Sequence, residues 1–375
     1  MNIAVNTRLL LPDQLEGIGW FAHELLRRIV AHHPNSTFHF FFDRPYDEQF
    51  LFGPNVVPHV LQPPARHPIL WYLWFEYSVT RKLNQLQPDL FFSPEAYLSL
   101  RSQVPTIMTV HDLSLLHYPQ HVNWPIRQYV HYFYPKFVAR ANHIVTVSKY
   151  SQEDLVAHYP AAAEKVSVVY NGAREEYAPI SEGEQQRIRE QYSEGKPYFL
   201  YVGALQPRKN VDRLLQAFDR FKATTEAPHQ LLIVGRKAWM TATIDEAYQQ
   251  MVHKEAVQFL DYQPLAVVAS LMGAAYALAY VSLFEGFGIP LLEALQCRVP
   301  VLTSNTTSMP EVAGRAGLCV DPTDVGAMAE GFTRLAMDKA LHQTLTAETL
   351  PQASAFDWDQ SAEKLWQLIE NHAVH

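Results

Sequence analysis

Charge is scarce in this chain and leans one way. Only 18% of its 375 residues are Asp, Glu, Lys or Arg, and acids outnumber bases to leave a formal net charge of -8. That excess excludes nucleic acid as the main partner, because such binding is driven by Lys and Arg neutralising phosphates. Cysteine is nearly absent. Cys297 and Cys319 are the only two, which fits free thiols in a reducing cytoplasm better than a disulfide framework. No apolar run approaches the ~20 residues needed to span a bilayer, and the opening MNIAVNTRLL reads as a first strand, not a signal peptide. There are 17 histidines, yet no pair is read at metal-ligand spacing with supporting acids, so no metal and no cofactor are expected. No residue-level repeat is visible. What remains is a composition that folds, 48% hydrophobic, in a chain long enough for two domains.

Apolar runs alternate with helical patterns throughout. NIAVN, FHFFF, LFFS, TIMTV, HIVTVS and VSVVY read as strands of a first half. PYFLYVGAL, LLIVG, VQFLDY, AAYALAYV, VPVLTSN and GLCVDP repeat the arrangement in a second. Strands separated by helices imply α/β units with parallel sheets. Between the halves, AREEYAPISEGEQQRIREQYSEGKP is polar and Pro-punctuated, and reads as a linker carrying a short helix.

The densest chemical signal follows AAYALAYV. There Glu285-Gly286-Phe287-Gly288-Ile289-Pro290 leads into a helix containing Glu293, with Pro290 placed as a first helical residue. A buried strand, a glycine loop and a helix start form an anion site, since helix N-termini present unpaired N–H groups. Gly286 and Gly288 would let backbone approach a ligand closely. Glu285 and Glu293 would repel a phosphate, so they are expected to serve its neighbours, the hydroxyls of sugars. The plain alternative for Glu293 is an acid favoured by the helix dipole.

A second signal is YVGALQPRKNVDRLLQAF, where a strand delivers Arg208 and Lys209 and then Asn210 as a helix cap. Adjacent cations at a strand end suit a diphosphate, Arg as a fork and Lys as a point charge. In the first half His111-Asp112 follows TIMTV at the carboxyl end of a strand, where open α/β sheets place ligands. Gly17-Ile18-Gly19-Trp20-Phe21-Ala22 fits a dinucleotide fingerprint, with Asp43 as its ribose acid. About ten residues separate it from its strand, however, too many for the tight turn that fingerprint needs. Ser148 and Ser308 read as helix caps, not nucleophiles. Trp71, Trp74, Phe75 and Ser78 share a helical face and are expected to pack on the sheet; a role towards lipid or acceptor is the alternative. Asp357-Trp358-Asp359 looks like a metal motif but reads as a helix start.

The spacing Glu285-x7-Glu293 within E-G-F-G-x-P-x-x-E resembles the signature of retaining glycosyltransferases of family 4, whose fold is GT-B. TVHDLSLLHYPQ, VTVSKYSQEDL, VVYNGA, YVGALQPRKN, SNTTSMPEVAG and the final FDWDQSAEKLWQLI are similar to that family's segments, in its order. Ala204 departs from one branch of that family, which has Arg directly after the Gly, and Arg298 stands where the family commonly has a glycine after a helix.

The resemblance implies two Rossmann-like domains facing across a cleft. The first, residues 1–180, would bind the acceptor; the second, 196–355, the nucleotide-sugar; a terminal helix, 356–375, would pack back on the first. It implies a metal-independent transferase moving a sugar, with a leaning to mannose from GDP-mannose, to a glycan or lipid-linked acceptor in surface-polysaccharide assembly. Such an enzyme would be cytoplasmic and could touch the membrane peripherally. Glu285, His111 and Lys209 would be catalytic. Arg208, Lys209, Glu285, Gly286, Phe287, Gly288, Ile289 and Glu293 would bind the donor, and Gly17 and Gly19 would form a cleft loop. The rivals are a nicotinamide-dependent oxidoreductase, a nucleotide-sugar epimerase of the same fold, and a non-enzymatic module binding a sugar or a lipid head group.

Overall fold

A computed structural model describes residues 1–12, 15–236 and 242–374. They divide into two compact units, Met1–Asn171 with Trp358–His375, and Gly172–Asp357.

The first unit is built on β1 (Asn2–Asn6), β2 (Thr37–Phe42), β3 (Val56–Val60), β4 (Leu90–Ser93), β5 (Thr106–Val110), β6 (His143–Thr146) and β7 (Val166–Val168). All pair in parallel, in the order β3-β2-β1-β4-β5-β6-β7. β4, β5 and β6 are buried along their whole length. Strands covered on both faces have no polar side, which is why LFFS, TIMTV and HIVT do not alternate.

The second unit repeats the plan with β8 (Tyr198–Val202), β9 (Gln230–Val234), β10 (Val257–Phe259), β11 (Ala277–Tyr280), β12 (Val301–Ser304) and β13 (Gly317–Val320). These are parallel, in the order β10-β9-β8-β11-β12-β13. Both units are Rossmann-like, and in each the strand order reverses once, between β1 and β4 and between β8 and β11. Within each unit, the loops leaving the carboxyl ends of that pair lie at the switch point where doubly wound sheets hold ligands.

The stretch read as a linker is more structured than its polarity implies. Glu182–Ser193 is a helix whose start is closed by a capping box between Ser181 and Glu184, a pattern that satisfies two otherwise orphaned N–H groups. Ile180 packs so tightly on Gly273 of the helix Leu265–Ala274 that a Cβ there would lie 3.0 Å from it.

The aromatic stretch is not one regular helix. A π-helical turn, Trp74–Val79, separates Pro68–Leu73 from Thr80–Leu86. The wider turn shifts the register. Trp74 and Phe75 become fully buried, while Ile69, Leu73 and Tyr77 are exposed. Ser78 is instead fixed through its hydroxyl to the Gln62 carbonyl. No described helix is long and apolar enough to cross a membrane.

The last helix, Trp358–His372, buries Trp358, Ala362, Leu365, Trp366 and Ile369, the spacing of one apolar stripe. It packs on the helix Gly17–His32. Trp358 meets Phe21 at 6.2 Å, and Trp366 stacks on His33 at 3.7 Å. Asp359 accepts from Arg28 at 2.6 Å, which gives that acid a structural partner. Truncating a buried aromatic removes its transfer energy and leaves a cavity, so Trp366→Ala should lose roughly 3–5 kcal/mol. Urea denaturation followed by circular dichroism would check this, and a midpoint equal to the parent's would refute it.

Candidate active site

β8 and β11 are neighbours, paired Ala277 to Phe199 and Leu278 to Leu200. The loops that leave them are therefore side by side. The loop after β8 forms a short turn, Pro207–Lys209, and the loop after β11 runs to the helix Ile289–Gln296. This brings Arg208, Lys209 and Glu285 together. Lys209 Nζ donates to Glu285 Oε1 at 2.6 Å, and Arg208 Nη1 to Oε2 at 3.0 Å. Arg208 also donates to the Phe284 carbonyl. Tyr280, at the end of β11, accepts from Lys209 at 2.5 Å and donates to Glu285 at 3.0 Å.

Glu285 was expected to serve the hydroxyls of a sugar beside the phosphate. In this structure it is the counter-ion of both cations, because strand order sets them against it and a buried carboxylate needs such partners. Burial pushes the Glu285 carboxyl up, but the Lys209 ammonium and the Arg208 guanidinium outweigh it and hold it at about 2.

The two loops are stitched to each other and to the next one. Leu283 N–H donates to the Arg208 carbonyl at 2.9 Å. Asn210 does not cap its helix through its side chain. It takes the left-handed conformation and its amide bridges the carbonyls of Val281, at 3.0 Å, and Pro322, at 2.7 Å. Ser308 likewise makes no cap bond, and its hydroxyl holds the Glu285 carbonyl at 2.9 Å. Both polar side chains were read as caps from position alone; the loop beside them offered unpaired carbonyls instead. Gly288, with φ of 92°, turns the chain into the helix, and a Cβ there would also lie 3.0 Å from Met309 sulfur. Phe287 is buried edge-on to Phe356 at 5.4 Å, and Ile289 begins the helix, part-exposed. Arg298 itself adopts the left-handed conformation that a glycine would ease, at φ of 61°, a cost of about 1–2 kcal/mol.

Glu293 lies on the buried side of its helix, 1% exposed. Its Oε1 accepts both Arg174 Nε, at 2.9 Å, and Nη2, at 2.5 Å, and Arg174 Nη2 also reaches the Tyr177 hydroxyl at 3.0 Å. Burial raises the Glu293 carboxyl above its ordinary range against the pull of Arg174. The same burial, with Glu293 beside it, lifts the Cys297 thiol to about 12. Neither Arg174 nor Tyr177 was singled out in the sequence.

In the first unit His111 follows β5. Its Nε2 lies 2.8 Å from the Pro94 carbonyl, and its ring sits edge-on to Phe21 at 4.9 Å. A carbonyl only accepts, so Nε2 carries the proton. Burial lowers the ring's pKa, which leaves a neutral imidazole whose acceptor is Nδ1. Phe21 belongs to the helix that starts at Gly17, so His111 and the glycine pair share one neighbourhood. Gly19 is required for packing: a Cβ there would lie 2.9 Å from the Leu9 carbonyl. Asp43 is fully buried, paired with Arg44 at 2.6 and 2.7 Å, and accepts Ala65 N–H at 2.8 Å. A carboxylate sealed this way cannot take a ribose, which removes the dinucleotide reading. Residues 237–241, which follow β9, lie outside the described residues.

Two family models match the chain, Glycosyltransferase Family 4 over residues 15–177 and Glycosyl transferases group 1 over 183–349. The chain is 30% identical over 278 residues to O-antigen chain mannosyltransferase B of Escherichia coli, covering 74% of this chain and 73% of that protein. It is 27% identical over 275 residues to O-antigen chain mannosyltransferase RfbU of Salmonella typhimurium, covering 72% of each. Its fold is similar to that of sucrose-phosphate synthase from Thermosynechococcus elongatus, with TM-score 0.79, 19% identity, and coverage of 99% of this chain and 98% of that one. It is also similar to that of WaaG, a glycosyltransferase involved in lipopolysaccharide biosynthesis, with TM-score 0.74, 17% identity, and coverage of 98% and 99%.

Two outcomes follow from the charges. Glu285 has a folded pKa below its ordinary 4.5, so its stabilisation is complete above that value and is lost as pH falls towards about 2. The stability of Glu285→Gln should therefore vary less across that window than the parent's, read from urea midpoints at stepped pH; parallel curves would contradict it. Arg174→Ala leaves Glu293 buried without its cation and should lose about 3–5 kcal/mol. The same denaturation would show it, and a loss under about 0.5 kcal/mol, the scale of ordinary surface changes, would contradict it.

Proposed function

That this chain belongs to the group 1 glycosyltransferases is the premise from which we propose its reaction: metal-independent, retaining transfer of mannose from GDP-mannose to a glycan or lipid-linked acceptor in surface-polysaccharide assembly. The observation that carries the donor site is the pairing of Arg208 and Lys209 with one carboxylate, Glu285, at the β8/β11 switch. Two cations against one anion leave a positive charge there, directed at a loop that ends in a helix start. A nucleoside diphosphate supplies the complementary charge. The mannose reading rests on the relatives, since both mannosyltransferases named above match along most of their length.

Lys209 and Arg208 would take the diphosphate, with the start of the helix Ile289–Gln296 adding its dipole. Charge accumulates on the leaving phosphate as the glycosidic bond breaks, so these contacts strengthen in the transition state. The diphosphate competes with Glu285 for the cations. Once exchanged, Glu285 is an anion facing the hexose, whose ring gains positive charge as its bond to phosphate breaks. Neutral His111, with Nδ1 as acceptor, would orient a hydroxyl of the transferred sugar. Glu293 would accept the ribose hydroxyls, held for them by Arg174. A phosphate oxygen of the donor would take the acceptor's proton. The second unit would hold the nucleotide-sugar and the first the acceptor.

A lipid-linked acceptor brings the enzyme to the cytoplasmic face of a membrane. Exposed Trp124 and Tyr132 support a peripheral contact there, with Arg101 over Tyr77 at 4.5 Å and Lys136 over Tyr132 at 3.3 Å. Rings of this kind favour boundaries that are apolar on one side and wet on the other.

The reaction is tested by incubating the enzyme in EDTA with GDP-mannose, UDP-glucose or ADP-glucose and a polyprenyl-linked saccharide extract. Acceptor-dependent release of GDP alone is expected. Glu285→Gln should cut kcat by roughly tenfold or more, about 1.4 kcal/mol. Lys209→Ala should weaken GDP binding and also lower kcat. Release of UDP or ADP would overturn the donor, isomerisation of donor without acceptor would overturn transfer, and full activity of both variants would overturn the site.

A further inference from the structure

We propose that the first unit carries a divalent transition-metal site formed by His117, Asp154 and His158. It is separate from the donor-site residues and does not depend on the reading of the reaction. His117 ends the short helix Ser114–His117 that follows β5, while Asp154 and His158 lie on the helix Lys149–His158 that follows β6. β5 and β6 are paired, so the two segments emerge side by side. Residues i and i+4 share a helix face, which aims Asp154 and His158 at the same space.

His117 Nε2 lies 2.9 Å from each Asp154 carboxylate oxygen, and His158 Nδ1 lies 3.2 Å from Oδ1. One ligand atom from each of the three fits within 4.8 Å of the others. Nitrogen and oxygen ligands at about 2.1 Å from a tetrahedral zinc stand roughly 3.3 Å apart. Two of the three separations are therefore already those of ligands around one ion. Only the two imidazoles must draw together. Both rings face solvent, with side-chain exposures of 31% for His117 and 39% for His158, whereas Asp154 is 7% exposed at the base between them. The carboxylate supplies the negative charge, and the exposed rim leaves room for water to complete the shell. Neutral imidazole with carboxylate suits zinc, cobalt, nickel or copper rather than calcium or magnesium. His158 Nδ1 now meets the Asp154 carbonyl at 2.9 Å; ligation through that nitrogen would replace this bond.

The site would act as a clasp. The segment it secures begins at His111, whose carbonyl already accepts from Ser151 Oγ of the same helix at 3.1 Å. A metal at His117 would fasten the other end, fixing the loop that carries His111 at both ends.

The test uses the full chain without an affinity tag, stripped with EDTA and dialysed. Titration with Co2+ should develop a visible absorption that saturates at one equivalent and is displaced by Zn2+. Zn2+ should raise the melting temperature. His117→Ala and Asp154→Asn should each weaken Co2+ binding at least about tenfold and abolish the Zn2+-induced melting shift. Both histidines are exposed, so His117→Ala/His158→Ala should remain folded by circular dichroism without metal, keeping the binding test valid. Absence of a saturable one-equivalent signal, or parental affinity in that double variant, would overturn the proposal and leave an aspartate hydrogen-bonded to two imidazoles.

Discussion

Glu285 holds two loops together by standing between Lys209 and Arg208, and that contact organises the β8/β11 edge of the second unit. The three charges come from the ends of adjacent strands, and each is mostly out of water. Their mutual attraction roughly repays the desolvation of bringing them there, so the cluster adds little net stability compared with apolar packing. What it adds is position. The surrounding hydrogen bonds from Asn210, Ser308 and Leu283 fix the backbone that carries it.

The first unit has the same strand reversal, and the comparison is informative. There Arg8, just past β1, pairs with Glu95, just past β4. Asn6 donates to the same carboxylate at 2.6 Å, and Arg8 also donates to the Ala65 carbonyl at 3.0 Å. Arg8 is 7% and Glu95 3% exposed, beneath Trp71 and Tyr97. One cation meets one anion there. The same topology thus yields a balanced, buried pair in one unit and a net positive cluster in the other. Charge count, rather than fold, is what distinguishes the two switch points.

The strands were legible because burial on both faces leaves unbroken apolar runs. LFFS and TIMTV coincide with β4 and β5, and AAYALAYV contains β11. β3 escaped notice because Pro58 interrupts VVPHV, and an edge strand tolerates a proline that a central one would not. The helix Glu182–Ser193 was legible only in part, its capping box being present in Ser181 and Glu184 while its composition resembled a linker. Side-chain pairing across the sheet was not legible. Glu285 lies 76 and 77 residues from its cations, and Glu293 lies 119 from Arg174. Such contacts exist only once the strand order places β8 beside β11, which no local pattern encodes. Asp154 and His158 did stand at helical ligand spacing, but His117 reaches them from 37 residues before Asp154.

Arg174 adds a constraint on how the second unit is entered. The chain passes into that unit at Gly172, and within a few residues Arg174 and Tyr177 close on Glu293. A carboxylate buried beside Cys297 would be driven towards protonation, as its raised pKa records; the guanidinium opposes this by giving it a charge-assisted partner. Both Arg174 nitrogens bond the same oxygen, so the carboxylate is not saturated by the cation. That arrangement keeps Glu293 oriented by its own chain while one oxygen remains outside the Arg174 contact. The helix that begins at Ile289 is therefore fixed twice: at its start by the loop that carries Glu285, and a turn later by the segment that opens the unit.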